Sequence, residues 1–317
     1  MRIASLIPSG TDLVATLGLS DQIVGVSHEC DHPDVAGLPV LTSSVIPAPT
    51  EEGPSLPAAE IDHIVSSSVA AGESLYRTDR QLLNALAPDV IVSQDVCDVC
   101  AVNATSALEA MCDLPDGAEL VMLTATSVSG LYDDLAALGR ALKVDDVANA
   151  VIADLREQIG MFYTAGRRRA QKARVLTLEW SDPPFLGGHW VPELVEITGA
   201  QHVITRPGEP SRRSTWDEIT AADPDVIVFC PCGYNLHQAS TEALRLGRRP
   251  EVAGLRAVAT GQFYAVDANR LLSRCTTNVI DAIRVFAALS QPGFLADEAL
   301  PVGVRRIRAA VAGTRDS

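Results

Sequence analysis

Leu86-Ala87-Pro88-Asp89-Val90-Ile91-Val92 returns later in the chain as Ala222-Asp223-Pro224-Asp225-Val226-Ile227-Val228. A helical pattern precedes each copy, over residues 79–87 and 216–222. Pro-Asp breaks the helix, and the short β-branched run after it suits a strand buried on both faces. Each strand then opens into a cysteine-bearing loop, residues 93–100 and 230–234.

The echo extends outward. Residues 2–7 and 174–178 both read as strands entering Pro/Ser-rich loops. Each half also closes on a strand, a polar loop and an amphipathic helix: 120–123, 124–129 and 131–142, then 263–266, 267–274 and 277–289. Alternating strands and helices imply parallel sheets with right-handed crossovers. The expected fold is therefore α/β, with two Rossmann-like lobes, residues 1–143 and 173–317, and a ligand cleft between them. Residues 144–172 read as one linking helix, with Val147, Val151, Leu155, Ile159 and Phe162 on one stripe. Asp145 and Asp146 at its start and Arg167, Arg168 and Arg169 at its end suit the helix dipole. Such a helix would reach ~40 Å. The Pro-rich stretch 46–57 reads as an exposed loop of the first lobe.

Composition narrows the function. The chain has 317 residues, 47% hydrophobic and 21% charged, which is globular rather than disordered. Forty acidic residues against 25 basic give a net charge of −15, which disfavours nucleic-acid partners. No stretch approaches the ~20 apolar residues of a membrane helix. The N-terminus reads as a strand rather than a secretory signal, so a cytoplasmic location is expected. An odd count of seven cysteines suits that reducing compartment.

Open parallel sheets bind ligands at the carboxyl ends of their strands. The loops expected there carry Ser9, His28, Glu29, Cys30, His32, Asp95, Cys97, Cys100, His189, Cys230, Cys232 and Arg274. Cys97-Asp98-Val99-Cys100 has the spacing of a metal-binding or redox pair, or of two small buried residues. Cys230-Pro231-Cys232 either adds ligands or continues the core. His28-Glu29-Cys30-Asp31-His32 packs five metal-competent side chains into one loop, some of them solvated. His189 follows Gly187-Gly188, which would let backbone approach a ligand, and precedes Trp190; packing is the alternative. The metal-ligand candidates are Cys30, Cys97, Cys100, Cys232, His28 and His189. No nucleotide-binding glycine motif and no hydrolase nucleophile elbow is present.

The chain resembles the helical-backbone (class III) substrate-binding proteins, of the cobalamin and iron-chelate type that serves ABC importers. The likeness rests on residues 2–12, on Val24-Gly25-Val26-Ser27 with Asp31-His32-Pro33, and on both Pro-Asp-Val-Ile-Val strands. It continues through Asp182-Pro183-Pro184-Phe185, Gly188, residues 193–199 and Ser214-Thr215-Trp216-Asp217-Glu218. It is most similar to a signal-less cobalamin-binding branch, through residues 27–31, 94–100, 188–193 and 231–233. The resemblance implies a bound corrinoid (cobalamin) or related metal chelate and no catalysis. Residues 27–31, Phe185 and the 267–274 loop, including Asn269 and Arg274, would face the ligand, with Trp190 and Phe185 against the macrocycle.

Three departures stand out. Transporter-docking members carry an acidic residue seven positions before each Pro-Asp; Asp217 is present, but Gln81 replaces the other. Glu29, Ser44 and Ser211 occupy positions where cobalamin binders place aromatics, and Cys275 stands where proline is expected. The expected function is a cytoplasmic corrinoid or chelate carrier or sensor, free of nucleic acid and membrane insertion. One alternative is a Cys/His centre holding zinc or an iron–sulfur cluster. The other is an ABC-importer binding component.

Overall fold

A computed structural model of the chain describes residues 1–47, 56–71, 73–96, 118–169, 171–290 and 296–308. It forms two compact units. The first joins Met1–Ala48, Glu60–Glu157 and Arg274–Thr277; the second joins Pro49–Ala59, Gln158–Ser273 and Asn278–Ser317. Neither is a contiguous stretch, unlike the division expected from the sequence.

Through the first unit run β1 (Ile3–Ser5), α1 (Pro8–Thr16), β2 (Ile23–Val26), β3 (Thr42–Ser44) and α2 (Ala58–Ala71). They are followed by β4 (Tyr76–Thr78), α3 (Arg80–Leu86), β5 (Val90–Gln94), β6 (Glu119–Leu123) and α4 (Val128–Ala141). The strands β2-β1-β5-β6 make one parallel sheet, and β3 pairs antiparallel with β4. Ala4, Leu6, Leu41, Leu75, Leu83 and Ile91 pack one face of the sheet into a dry core.

The helix α5 (Asp145–Gly166) carries the chain onward into the second unit. There follow β7 (Arg174–Ser181), β8 (Pro184–Leu186), α6 (Val191–Ile197), β9 (Gln201–His202), β10 (Arg212–Arg213), α7 (Trp216–Ala222) and β11 (Val226–Phe229). Then come α8 (Leu236–Leu246), α9 (Pro250–Ala253), α10 (Arg256–Ala259), β12 (Phe263–Val266), α11 (Ala268–Leu271), α12 (Val279–Leu289) and β13 (Val304–Arg306). The sheet order is β10-β8-β7-β11-β12-β13, with β9 also on β7. Its centre, β7, β11 and β12, is parallel, as the alternation predicts. Antiparallel β8, β10 and β13 extend it, strands of two or three residues that the sequence reading leaves in loops.

The repeated Pro-Asp has the same job in both units. Each preceding helix ends on a left-handed residue, Ala87 (φ 40°) and Asp223 (φ 41°). The chain then turns so that the Asp carboxylate accepts the N–H that opens the neighbouring strand. Arg2 donates to Asp89 Oδ2 at 2.7 Å, and Arg174 donates to Asp225 Oδ2 at 2.7 Å. Each Asp N–H returns a bond to the arginine carbonyl at 2.8 Å. The arginine side chains close the loop on the helix C-termini, Arg2 Nε on the Leu86 carbonyl and Arg174 Nη2 on the Ala222 carbonyl. Helix end, strand start and strand register are thereby set together.

The linking helix is shorter than the 144–172 expected. At Gly166 a Cβ would lie 2.6 Å from the Gly199 nitrogen, so two backbones meet there. Beyond it Arg169 turns away to cap another helix, donating to Ser290 Oγ at 2.9 Å and the Ala287 carbonyl at 3.1 Å at the end of α12. Its role is therefore a specific cap rather than a dipole effect on its own helix.

His202, 4% exposed, is the buried polar centre of the second unit. Its Nε2 accepts the Thr177 N–H at 3.3 Å, which leaves Nδ1 to donate to the Thr205 carbonyl at 3.2 Å. Burial lowers its pKa to about 4, the Thr205 carbonyl opposing weakly.

Two outcomes follow for stability. Asp89→Ala and Asp225→Ala should each cost about 1–2 kcal/mol, read by chemical denaturation, because each removes a charge-assisted bond and orphans a strand N–H. His202 is a base whose folded pKa lies below its unfolded value, so the unfolded chain takes up the proton first. Its contribution is complete well above pH 6.5 and fades as pH falls toward 4, a loss of about 3 kcal/mol by linkage. His202→Asn should flatten the pH dependence of stability over that window.

Candidate functional site

In the first unit the carboxyl end of β2 delivers Ser27, His28, Glu29 and Cys30. Ser27 and Thr42 are buried, 4% and 6% exposed, and fix the loop. The Glu29 N–H donates to Ser27 Oγ at 3.2 Å, and the His28 N–H donates to Thr42 Oγ1 at 3.1 Å. Thr42 Oγ1 in turn donates to Ser27 Oγ at 3.2 Å and lies 2.7 Å from His28 Nδ1. With its one hydrogen given to Ser27, Thr42 accepts from Nδ1–H. Nε2 is then the unprotonated nitrogen, and it makes no hydrogen bond among the described residues. The ring also leans on Tyr76 of β4, centroids 5.8 Å apart. Desolvation lowers the His28 pKa although the residue is exposed, so the ring is neutral at pH 7. A neutral imidazole held at one nitrogen and open at the other has a lone pair free to accept a proton or a bond from a ligand group.

Beside it stands an ion triad. Arg274 Nη1 donates to Asp31 Oδ1 at 2.7 Å and to Asp12 Oδ2 of α1 at 3.2 Å. The Arg274 and Asp12 side chains are only 10% and 14% exposed. Burial raises the Asp12 pKa, and Arg274 offsets part of that. Desolvation opposes the charge on Arg274, but Asp31 and Asp12 together outweigh it and raise its pKa. Arg274, expected to face a ligand, is thus engaged by protein carboxylates. Cys30 Sγ lies 3.1 Å from Thr11 Oγ1, and burial raises its pKa, which keeps it a thiol. Glu29 makes no side-chain hydrogen bond or ion pair among the described residues, and desolvation raises its pKa against the field of Arg274.

The remaining candidates are scattered. Ser9 lies half-buried in the first turn of α1, and Asp95 is exposed just beyond β5. Cys97 and Cys100 fall outside the described residues. Among the described residues no group of three or more His, Cys, Asp or Glu could hold a metal ion.

In the second unit, His189 adopts a left-handed backbone (φ 52°) and bonds through its N–H to the Glu209 carbonyl at 2.6 Å. Its ring lies 6.0 Å from that of Trp190, and burial lowers its pKa. The preceding glycines serve packing rather than ligand approach. A Cβ on Gly187 would sit 2.2 Å from Thr177 Oγ1, and one on Gly188 2.3 Å from the Ser211 nitrogen. Phe185 is half-buried in β8, opposite Arg213 of β10. Asn269 ties two loops together by donating to the Gly233 carbonyl at 3.2 Å. Cys230 is core, 2% exposed, its thiol pKa pushed far up by burial, whereas Cys232 is exposed. A cavity of about 480 Å³ at the end of β7 is lined by Pro57, Ala58, Ser181, Glu242, Arg245 and Arg249 among others. Its charges pair internally or with Asp182, and none of the sequence-predicted site residues lines it.

Sequence reasoning missed Thr42, Asp12 and Thr11 as individual contributors, since each acts through a partner remote in sequence. The described helices include none long and apolar enough to cross a membrane.

Two α/β units, each with a parallel sheet core whose strand carboxyl ends open into polar loops, have the layout of a fold that takes its ligand at those ends. The chain belongs to the periplasmic binding protein family, whose model matches residues 3–269. No curated protein sequence matches it. Among solved structures, a periplasmic heme binding protein from Pseudomonas aeruginosa superposes with a TM-score of 0.68 at 18% identity, over 97% of this chain and 98% of its own. The periplasmic vitamin B12 binding protein BtuF of Vibrio cholerae gives 0.64 at 20% identity, over 91% and 95%. Helicobacter pylori CeuE, solved with Ni(II) bound, gives 0.62 at 15%, over 92% and 83%.

Arg274→Met should lower stability by about 2–4 kcal/mol at pH 7, since it strands two carboxylates, one of them largely buried. Burial raises the Asp12 pKa, so the deficit should shrink as the pH is lowered and Asp12 takes up a proton; urea titrations at pH 7 and at acid pH measure both.

Proposed function

We propose that the chain binds a corrinoid or a related metal chelate without transforming it, with His28 Nε2 as the axial ligand. The observation that carries this is the neutral His28 ring, anchored through Nδ1 to Thr42 with Nε2 open at the carboxyl end of β2. Family membership supports a small-molecule ligand, and the heme- and B12-binding structural neighbours support a macrocyclic metal chelate.

The protein acts as a cytoplasmic carrier or sensor. Among the described residues Cys30 and Cys230 carry thiols, which suits a reducing compartment. Gln81, exposed at the start of α3, leaves Asp217 of α7 without a charged counterpart for transporter docking. Cell fractionation checks the location: recovery of the native protein outside the cytosol would overturn that part.

Titration with aquacobalamin should shift the visible corrin bands as imidazole replaces water. His28→Ala should abolish the shift and weaken binding at least about tenfold. A shift that persists in His28→Ala would remove His28 as the ligand. The absence of any spectral change, heat of binding or thermal stabilisation with corrinoid or hemin would refute the chelate reading.

A further inference from the structure

We infer that the cavity at the end of β7 is a second binding site, one that takes a small zwitterion with an apolar body, such as a free apolar amino acid. This site uses none of the residues on which the chelate reading rests.

Every residue lining the cavity belongs to the second unit. Its volume of about 480 Å³ falls inside the usual range of small-molecule sites, roughly 300–1,000 Å³. Leu56, Pro57 and Leu246 give it apolar surface, and Asp182, Glu242, Arg245 and Arg249 give it two charges of each sign. Trp180 holds the 56–59 wall in place, its Nε1 donating to the Ala58 carbonyl at 3.1 Å.

The charges are positioned but not saturated. The Glu242 side chain is only 15% exposed. Its Oε1 accepts the Ser181 hydroxyl at 2.7 Å, while among the described residues Oε2 meets only Arg245 Nη1, at 3.7 Å. That pair is too long for a hydrogen bond, so a largely buried carboxylate oxygen stands open to a donor. The Arg245 fork makes no other bond among the described residues and stands open to an acceptor. Arg249 is fixed by Glu251 on Nε at 2.8 Å, by Asp182 on Nη1 at 3.4 Å, and by the Trp216 ring, 5.7 Å from its Cζ. Its Nη2 carries no hydrogen bond among the described residues. Tyr234, 5% exposed, lies within the fields of Glu242 and Arg245, and its hydroxyl has no hydrogen-bond partner among the described residues.

A ligand carboxylate would satisfy Arg245 and Arg249, and a ligand ammonium would satisfy Glu242 Oε2. The wall charges cancel, so neither sign is drawn in overall. A ligand of one sign gains one of these contacts and meets repulsion at the other; a zwitterion gains both.

Isothermal titration calorimetry of the full-length protein would compare L-leucine with its two halves, 4-methylpentanoate, which lacks the amine, and 3-methylbutylamine, which lacks the carboxylate. Leucine should bind with a Kd below about 1 mM, and each half at least about tenfold more weakly. Arg245→Met and Glu242→Gln should each weaken leucine at least about tenfold and leave the aquacobalamin titration unchanged. The Arg245 side chain is 64% exposed, so its replacement probes the site without threatening the fold. A leucine Kd above about 1 mM, equal binding of either half, or leucine affinity unchanged in Arg245→Met would overturn the inference. None of these outcomes touches the chelate reading, which stands or falls on the corrinoid titration.

Discussion

A carboxylate that opens a strand organises each half of this molecule. Asp89 and Asp225 take the N–H of the arginine at the start of β1 and β7, Arg2 just before the first and Arg174 opening the second, and return their own N–H to that arginine's carbonyl. A parallel sheet has no tight hairpins to set its register, so register must come from the crossover ends. The clamp supplies it at the amino ends. Side chains at the carboxyl ends, where ligands bind, are then positioned by strands whose starting points are shared.

This is also why the fold was so legible. The Pro-Asp strand is readable because one short motif encodes a helix stop, a strand start and a buried apolar run. The α7 and β12 boundaries match their sequence signals, Trp216–Ala222 and Phe263–Val266. Edge strands fail for a physical reason: β8, β10 and β13 span two or three residues, too few to display a period. The end of α5 fails for another, since the meeting of Gly166 with Gly199 is tertiary and leaves no mark on the local sequence.

The site was legible in its residue types and obscure in its couplings. A loop with His28, Glu29 and Cys30 directly after an apolar strand announces itself. What turns His28 into an oriented ligand is Thr42, and what silences Arg274 is a pair of aspartates, one of them far away on α1. Such pairings leave no periodicity to read. Gly187-Gly188 shows the converse, a ligand-like signature whose cause is a neighbouring backbone.

The chain's path has a consequence for its synthesis. The first unit begins at Met1 yet takes Arg274–Thr277 as its last piece. Until residue 274 has left the ribosome, Asp12 and Asp31 face each other with no counter-charge, and the Ser127 carbonyl lacks the Cys275 thiol. The N-terminal unit of this protein is therefore completed nearly last, against the usual order in which domains fold as they emerge. A fragment cut anywhere within α5 would carry the sheet of the first unit but not its finished electrostatics.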